Sequence, residues 1–177
     1  QINEKMENIH FKKGDVLNLP FNDEHFDFVF SKGVLHHTPS IENGIKEILR
    51  VLKKGGQGWV YCIEKPGGIF WDTIELLRNV MINVDYNFAR SFIRMNRIPE
   101  NRVFYILDHV MVPINVRSTP EQIFNILKES KAKDIRRLNR GADIDRVERI
   151  YNLKDKCNTD DLVWEFGVGE NRFIFEK

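Results

Sequence analysis

Between Phe26 and Glu64 the chain reads strand, helix, strand, and no other stretch constrains the fold as tightly. Phe26 to Ser31 (FDFVFS) is a nearly unbroken apolar run, the pattern of a strand buried on both faces of a parallel sheet. Ser40 offers an N-cap to a helix in which Ile41, Ile45, Ile48, Leu49 and Leu52 recur at helical spacing. Lys53-Lys54 and then Gly55-Gly56 supply favourable C-terminal charge and a left-handed stop. Trp59 to Glu64 is the second strand. Strand, helix, strand at this spacing requires a crossover connection and hence an α/β sheet.

The rest of the chain extends that frame. Ile9 to Gly14 reads as a short strand entered from the polar segment Gln1 to Asn8. After Pro66-Gly67-Gly68 the rhythm changes: Phe70, Ile74, Leu77 and Met81 share one helical face, and residues 69 to 112 read as a mostly helical insertion. Thr119-Pro120-Glu121-Gln122 has the form of a capping box with proline at the first helical position, ahead of Ile123, Ile126 and Leu127. Ile135 to Leu138 and Arg172 to Phe175 read as the last two strands, with a helix around Asp145 to Asn152 between them. Gly167-Val168-Gly169 precedes a strand, whereas a phosphate-binding loop must follow one, so it is read as a turn.

Composition narrows the function classes. The chain has 177 residues, 42% hydrophobic and 30% charged, enough for one domain with a real core. A formal net charge of +1 gives no support for a nucleic-acid surface. Cys62 and Cys157 have no partners at metal spacing, and Cys62 lies in an apolar run that predicts a buried thiol. No apolar run reaches membrane-spanning length and no basic-then-apolar signal opens the chain. The expectation is a cytoplasmic domain without metal, membrane or nucleic-acid partner.

Three motifs in order carry a family likeness: Gly14-Asp15-Val16-Leu17-Asn18-Leu19-Pro20-Phe21, then Phe26-Asp27-Phe28-Val29-Phe30-Ser31, then Leu35-His36-His37. With the Leu52-Lys53-Lys54-Gly55-Gly56 turn, they resemble the middle of a class I S-adenosylmethionine-dependent methyltransferase, in the broad family that includes quinone-biosynthesis enzymes. The resemblance implies a Rossmann-like sheet of order 3-2-1-4-5-7-6 with an antiparallel last strand, S-adenosylmethionine as cofactor and a small-molecule methyl acceptor.

It also implies site residues. Asp15 would accept from the adenine amino group and the Val16 backbone would meet adenine; the plain alternative is a turn aspartate. Ser31 and Lys32 would line the methionine end, the alternative for Lys32 being a solvated loop lysine. His37 matches a histidine that faces the acceptor pocket, where neutral imidazole could take a proton. His36 stands beside it as a structural or pocket residue, and the pair is no metal site, since adjacent side chains point apart.

In this topology insertions 66 to 117 and 140 to 170 emerge at the sheet edge where ligands bind, and they read as an acceptor-site lid. Asp108, His109, Asn115 and Arg117 are pocket candidates on it, with Glu170 or Arg172 as further acceptor contacts. Arg90, Arg94, Arg97 and Arg102 either meet an anionic acceptor or form a solvated face.

Relative to the family pattern, the glycine-rich cofactor loop and roughly 60 residues, about two βαβ units by size, do not precede the motifs. The expectation is an incomplete sheet and a chain opening with Gln1 whose true N-terminus lies elsewhere. On that reading the chain alone binds cofactor weakly or not at all, and its open strand edge invites homodimerisation. The competing reading is a non-catalytic module that recruits a partner through that edge.

Overall fold

The computed structural model describes residues 8–138 and 159–177. Four strands form one sheet in the order β1-β2-β4-β3: β1 Phe26–Lys32, β2 Leu52–Cys62, β3 Lys133–Arg137 and β4 Asn171–Glu176. β1 and β2 are parallel, and β4 is antiparallel to both β2 and β3. This is the 4-5-7-6 portion of the order the sequence implied, with the antiparallel last strand in place.

Helix α1 (Ile41–Val51) makes the crossover between β1 and β2. Its cap is the expected one, with Ser40 Oγ accepting from Asn43 N at 3.1 Å. Ile41, Ile45, Ile48 and Leu49 bury one stripe against Val60 and Cys62 of β2 and Phe173 and Phe175 of β4. Helix α5 (Pro120–Glu129) adds Ile123 and Leu127 to the same core. Its capping box is complete: Gln122 N donates to Thr119 Oγ1 at 3.1 Å, and Thr119 N donates to Gln122 Oε1 at 2.8 Å.

The insertion is helical, as expected: α2 (Gly68–Met81), α3 (Tyr86–Met95) and α4 (Glu100–Val110). These helices have a small core of their own, with Ala89, Val103 and Leu107 buried beneath Met81, Val84, Ile93, Ile98 and Met111. On α2 the fully buried contact is Trp71; Phe70 and Leu77, expected on the buried face, are each 43% exposed. The expected helix around Asp145 to Asn152 lies outside the described residues. A last helix, α6 (Thr159–Phe166), leads into β4.

Three expectations are corrected. Ile9 to Gly14 pairs with no described strand, and Ile9 and Phe11 are 50% and 79% exposed; without a neighbour to satisfy its backbone the segment gains nothing by extending. β1 is not buried on both faces, since Val29 packs on the core while Phe28 and Phe30 are exposed and Phe30 stacks on Trp59 with centroids 4.4 Å apart. Gly55-Gly56 does not end α1, which stops at Val51. Those glycines lie inside β2, where Gly55 takes φ +73° and the pairing jumps from Phe26–Leu52 to Phe28–Gln57, a bulge that needs a left-handed residue.

Candidate functional site

A cleft of about 650 Å³ opens at the carboxyl ends of β1 and β2, the edge where open α/β sheets take ligands. Its floor comes from the sheet: Lys32 and Gly33 end β1, Tyr61 and Ile63 end β2, and Glu170 and Arg172 enter β4. His36 and His37 project from the 3₁₀ turn Leu35–His37. The roof comes from the insertion, with Phe70 and Trp71 on α2, Arg102, Tyr105, Asp108 and His109 on α4, and Asn115 beyond it.

Floor and roof are joined by specific contacts. Segment 114–116 runs beside the histidine turn, with Val116 N donating to His36 O at 2.8 Å and His37 Nδ1 donating to Ile114 O at 2.9 Å. Glu64, fully buried just past β2, accepts from Trp71 Nε1 at 2.9 Å and so sets the first turn of α2. Arg78 of α2 donates to His109 O at 3.2 Å and to Val112 O at 2.8 Å, occupying carbonyls at the end of α4.

The roots of the two insertions also touch. Gly68 (φ +65°) and Gly167 (φ +77°) pack backbone to backbone: a Cβ on Gly167 would lie 2.6 Å from Gly67 C, and one on Gly68 would lie 2.4 Å from Glu165 O. Val168 N donates to Pro66 O at 3.0 Å. The described part of the second insertion therefore meets the first at the same sheet edge.

The three histidines differ chemically. His36 is 3% exposed, and burial, then the neighbouring His37 and His109, push its imidazole down to about 3, so it is neutral across the physiological range. His37 is half-buried, and a carbonyl can only accept, so its Nδ1 carries a hydrogen and in the neutral ring the lone pair is on Nε2. His109 repeats that logic, with Nδ1 donating to Tyr105 O at 2.7 Å. Its ring stacks on Trp71 (centroids 5.2 Å, 18°) and tilts against Tyr105 (4.2 Å).

Of the residues expected from sequence, Lys32, His36, His37, Asp108, His109 and Asn115 come together in the cleft, as do Glu170 and Arg172. Asp15, Val16, Ser31 and Arg117 are not among its lining residues. Asp15 is exposed and its Oδ1 accepts from Leu17 N at 2.9 Å; Val16 packs against the main core. Ser31 is buried on β1. Arg117 is spent on the α2 root, through Asp72 at 3.1 Å and Glu64 O at 3.3 Å. Of the four insertion arginines only Arg102 reaches the cleft, while Arg90 and Arg94 pair with Glu100.

Sequence reading missed Tyr61, Ile63, Phe70, Trp71 and Tyr105 as lining residues. The signals were there: Tyr61 and Ile63 alternate with the core residues Val60 and Cys62, and Arg102 and Tyr105 precede His109 by seven and four on α4.

The methyltransferase-domain family matches residues 1–60. Over 51 residues, 29% of this chain, the sequence is 47% identical to sterol 24-C-methyltransferase erg6 of Schizosaccharomyces pombe, covering 14% of that protein. Over 59 residues, 33% of this chain, it is 44% identical to demethylmenaquinone methyltransferase of Staphylococcus haemolyticus, covering 24% of it. The chain thus spans less than a quarter of the length of these two relatives. Among solved structures, a SAM-dependent methyltransferase of Thermotoga maritima, described as a possible histamine N-methyltransferase, superposes with TM-score 0.52 at 15% identity, over 94% of this chain and 63% of that one. The YcgJ protein of Bacillus subtilis does so with TM-score 0.50 at 16% identity, over 97% and 72%.

Strand order, motif series and family match agree. Residues 1–60 match the methyltransferase-domain family, and the described sheet has the fold of the solved S-adenosylmethionine-dependent methyltransferase of Thermotoga maritima.

Proposed function

We propose that this chain forms the acceptor-binding part of a methyltransferase that moves a methyl group from S-adenosylmethionine to a small molecule. The observation that carries the reading is the cleft itself, which brings the ends of the Phe26–Lys32 and Leu35–His37 motifs under the helical roof. Residues 66–117 and 140–170 act as its lid, and the whole of 1–177 works as one methyltransferase-like domain.

The residues present fit the cofactor in part. The Asp15 carboxylate is exposed and aimed by its bond from Leu17 N, and a carboxylate has room for further donors such as an adenine amino group. The Val16 backbone lies beside it, and Ser31 and Lys32 at the end of β1 stand at the place proposed for the methionine end. The cofactor supplies an electrophilic methyl group on a sulfonium. The chain's own task is to exclude water, align the acceptor and receive its proton. His37 is suited to the last step because its Nε2 lone pair is kept by the bond at Nδ1. His36, Asp108, His109, Asn115 and, at the lid root, Arg117 shape the acceptor side.

Chemical-shift mapping of the chain with S-adenosylhomocysteine tests this, and it detects binding weaker than the micromolar range. Shifts confined to residues 14–17 and 31–37, and lost in Asp15→Ala, are the expected result. No shift at millimolar ligand would sink the assignment of Asp15, Val16, Ser31 and Lys32 to the cofactor.

A second copy is the partner proposed for the outer edge of β1, where Phe28 and Phe30 are exposed. Sedimentation velocity should show concentration-dependent association that Phe28→Ser/Phe30→Ser removes; a monomer at every concentration speaks against it.

A further inference from the structure

The stripe of α4 that faces the cleft carries Arg102, Tyr105 and His109 at i, i+3 and i+7, one helical face. The His109 ring is held on three sides. Its Nδ1 is committed to Tyr105 O, one of its faces stacks on Trp71, Tyr105 tilts against it, and Trp71 is itself anchored to buried Glu64. Only Nε2 remains to meet a ligand, and in the neutral ring it can only accept. His37 presents the same kind of atom from the floor. Aromatic rings of Tyr61, Phe70, Trp71 and Tyr105 supply the walls.

A cleft with flat apolar walls and fixed lone pairs selects a flat ring bearing a hydrogen-bond donor. An ammonium ligand fits less well. Arg172 already lies over the Tyr61 ring at 6.0 Å, His109 occupies a face of Trp71, and Lys32 and Arg102 outnumber the Asp108 carboxylate in the lining, the Glu170 carboxylate being paired with Arg172.

We infer that His109 Nε2 is the specificity contact for a hydroxyl group on an aromatic ring, so that the acceptor is a hydroxyarene. This rests on the reading of the cleft as an acceptor site. His109 is here a binding residue that orients the hydroxyl by accepting its hydrogen bond.

The test uses a matched probe pair, 2-naphthol and 2-methoxynaphthalene, titrated into the chain and followed by NMR without cofactor. The expected result is about tenfold tighter binding of 2-naphthol, the worth of one well-made hydrogen bond. That preference should fall to parity in His109→Phe, which keeps the stacked ring and loses Nε2, and persist in His37→Phe. Equal binding of the two probes by the wild-type chain overturns the inference, as does a preference unchanged in His109→Phe. Should His109→Phe fail to fold, long-range ¹⁵N–¹H spectra of the wild-type imidazoles decide: hydrogen on Nδ1 of His109 is expected, and hydrogen on Nε2 overturns it. Shifts with S-adenosylhomocysteine but no naphthol preference would defeat only this inference. Naphthol preference with no cofactor-product shift would defeat only the cofactor side of the wider reading.

Discussion

His36 and Cys62 show what burial does to single ionisable groups here. Burial holds the His36 imidazole down at about 3, well below its ordinary 6.5. The unfolded chain therefore binds a proton below pH 6.5 that the folded one refuses, and stability present above 6.5 is lost as pH falls toward 3. The expected slope from this residue is about 1 kcal/mol per pH unit within that window. Urea unfolding of His36→Leu at several pH values should give a visibly flatter curve between 6.5 and 4.5; an unchanged slope refutes the assignment. Cys62, with no exposed surface, has its thiol pushed up to about 12 by burial, so the thiolate that reacts is all but absent. The native chain should leave Cys62 unmodified by thiol reagents, and labelling should track global unfolding. Rapid labelling of that residue in the native state would contradict its place in the core.

At the scale of elements, side chains of one element hold the backbone of another. Arg50 on α1 makes a bidentate pair with Glu47 (2.7 and 2.9 Å) and donates to Phe21 O at 2.9 Å, Leu19 O at 3.0 Å and Asp23 Oδ1 at 2.7 Å. Glu47 Oε1 in turn accepts from Leu19 N at 2.6 Å. This clamp fixes the loop that follows Asp15 and Val16. Arg50→Ala should lower stability modestly, since the cluster is partly exposed and loses charge-assisted bonds. Amide exchange should speed up selectively at residues 17–24; uniform exchange changes would deny the clamp its local role. The Arg50 bond holds Glu47 below the usual carboxylate range, so this stabilisation is present above about 4.5 and fades as pH falls below it. At the lid root, Gly167→Ala forces a side chain into the Gly67 backbone at positive φ. A loss of about 1–3 kcal/mol is expected, with shift changes centred on α2 and α6. A neutral substitution would mean the two roots are not in tight contact.

Among the described residues of the whole molecule there are two apolar clusters of unequal size. The main one joins α1 and α5 to β2 and β4, while the cluster of the helical insertion buries only Ala89, Val103 and Leu107 fully. Local opening follows buried apolar contact, so amides of α3 and α4 should exchange faster than those of α1 and β2. Equal protection would show the helical insertion to be part of a single cooperative unit. Among the described residues no helix is long and apolar enough to cross a membrane, and no group of His, Cys, Asp or Glu could hold a metal ion.

Local signals in the chain determined much of this. Ser40 and the Thr119–Gln122 box announced α1 and α5, because a cap is written in residues adjacent to the helix it starts. The apolar stripe from Ile41 to Leu49 predicted its own burial, since a helix's spacing needs no distant partner to define a face. The strand order and the pocket residues His37, Asp108, His109 and Asn115 were reached through family resemblance and topology. Pairing and exposure were decided by the tertiary structure. Ile9 to Gly14 has strand-like residues and no strand beside it, and Phe28 and Phe30 have core-like residues and no cover among the described elements. Gly55-Gly56 reads equally well as a helix stop or a bulge until β1 sets the register. Arg90, Arg94 and Arg102 look alike in sequence, yet Glu100 takes two of them and leaves Arg102 to the cleft. The aromatic clamp on His109 draws on α2, α4 and a glutamate at the end of β2. Such convergence depends on packing across long sequence separations, which no local spacing encodes.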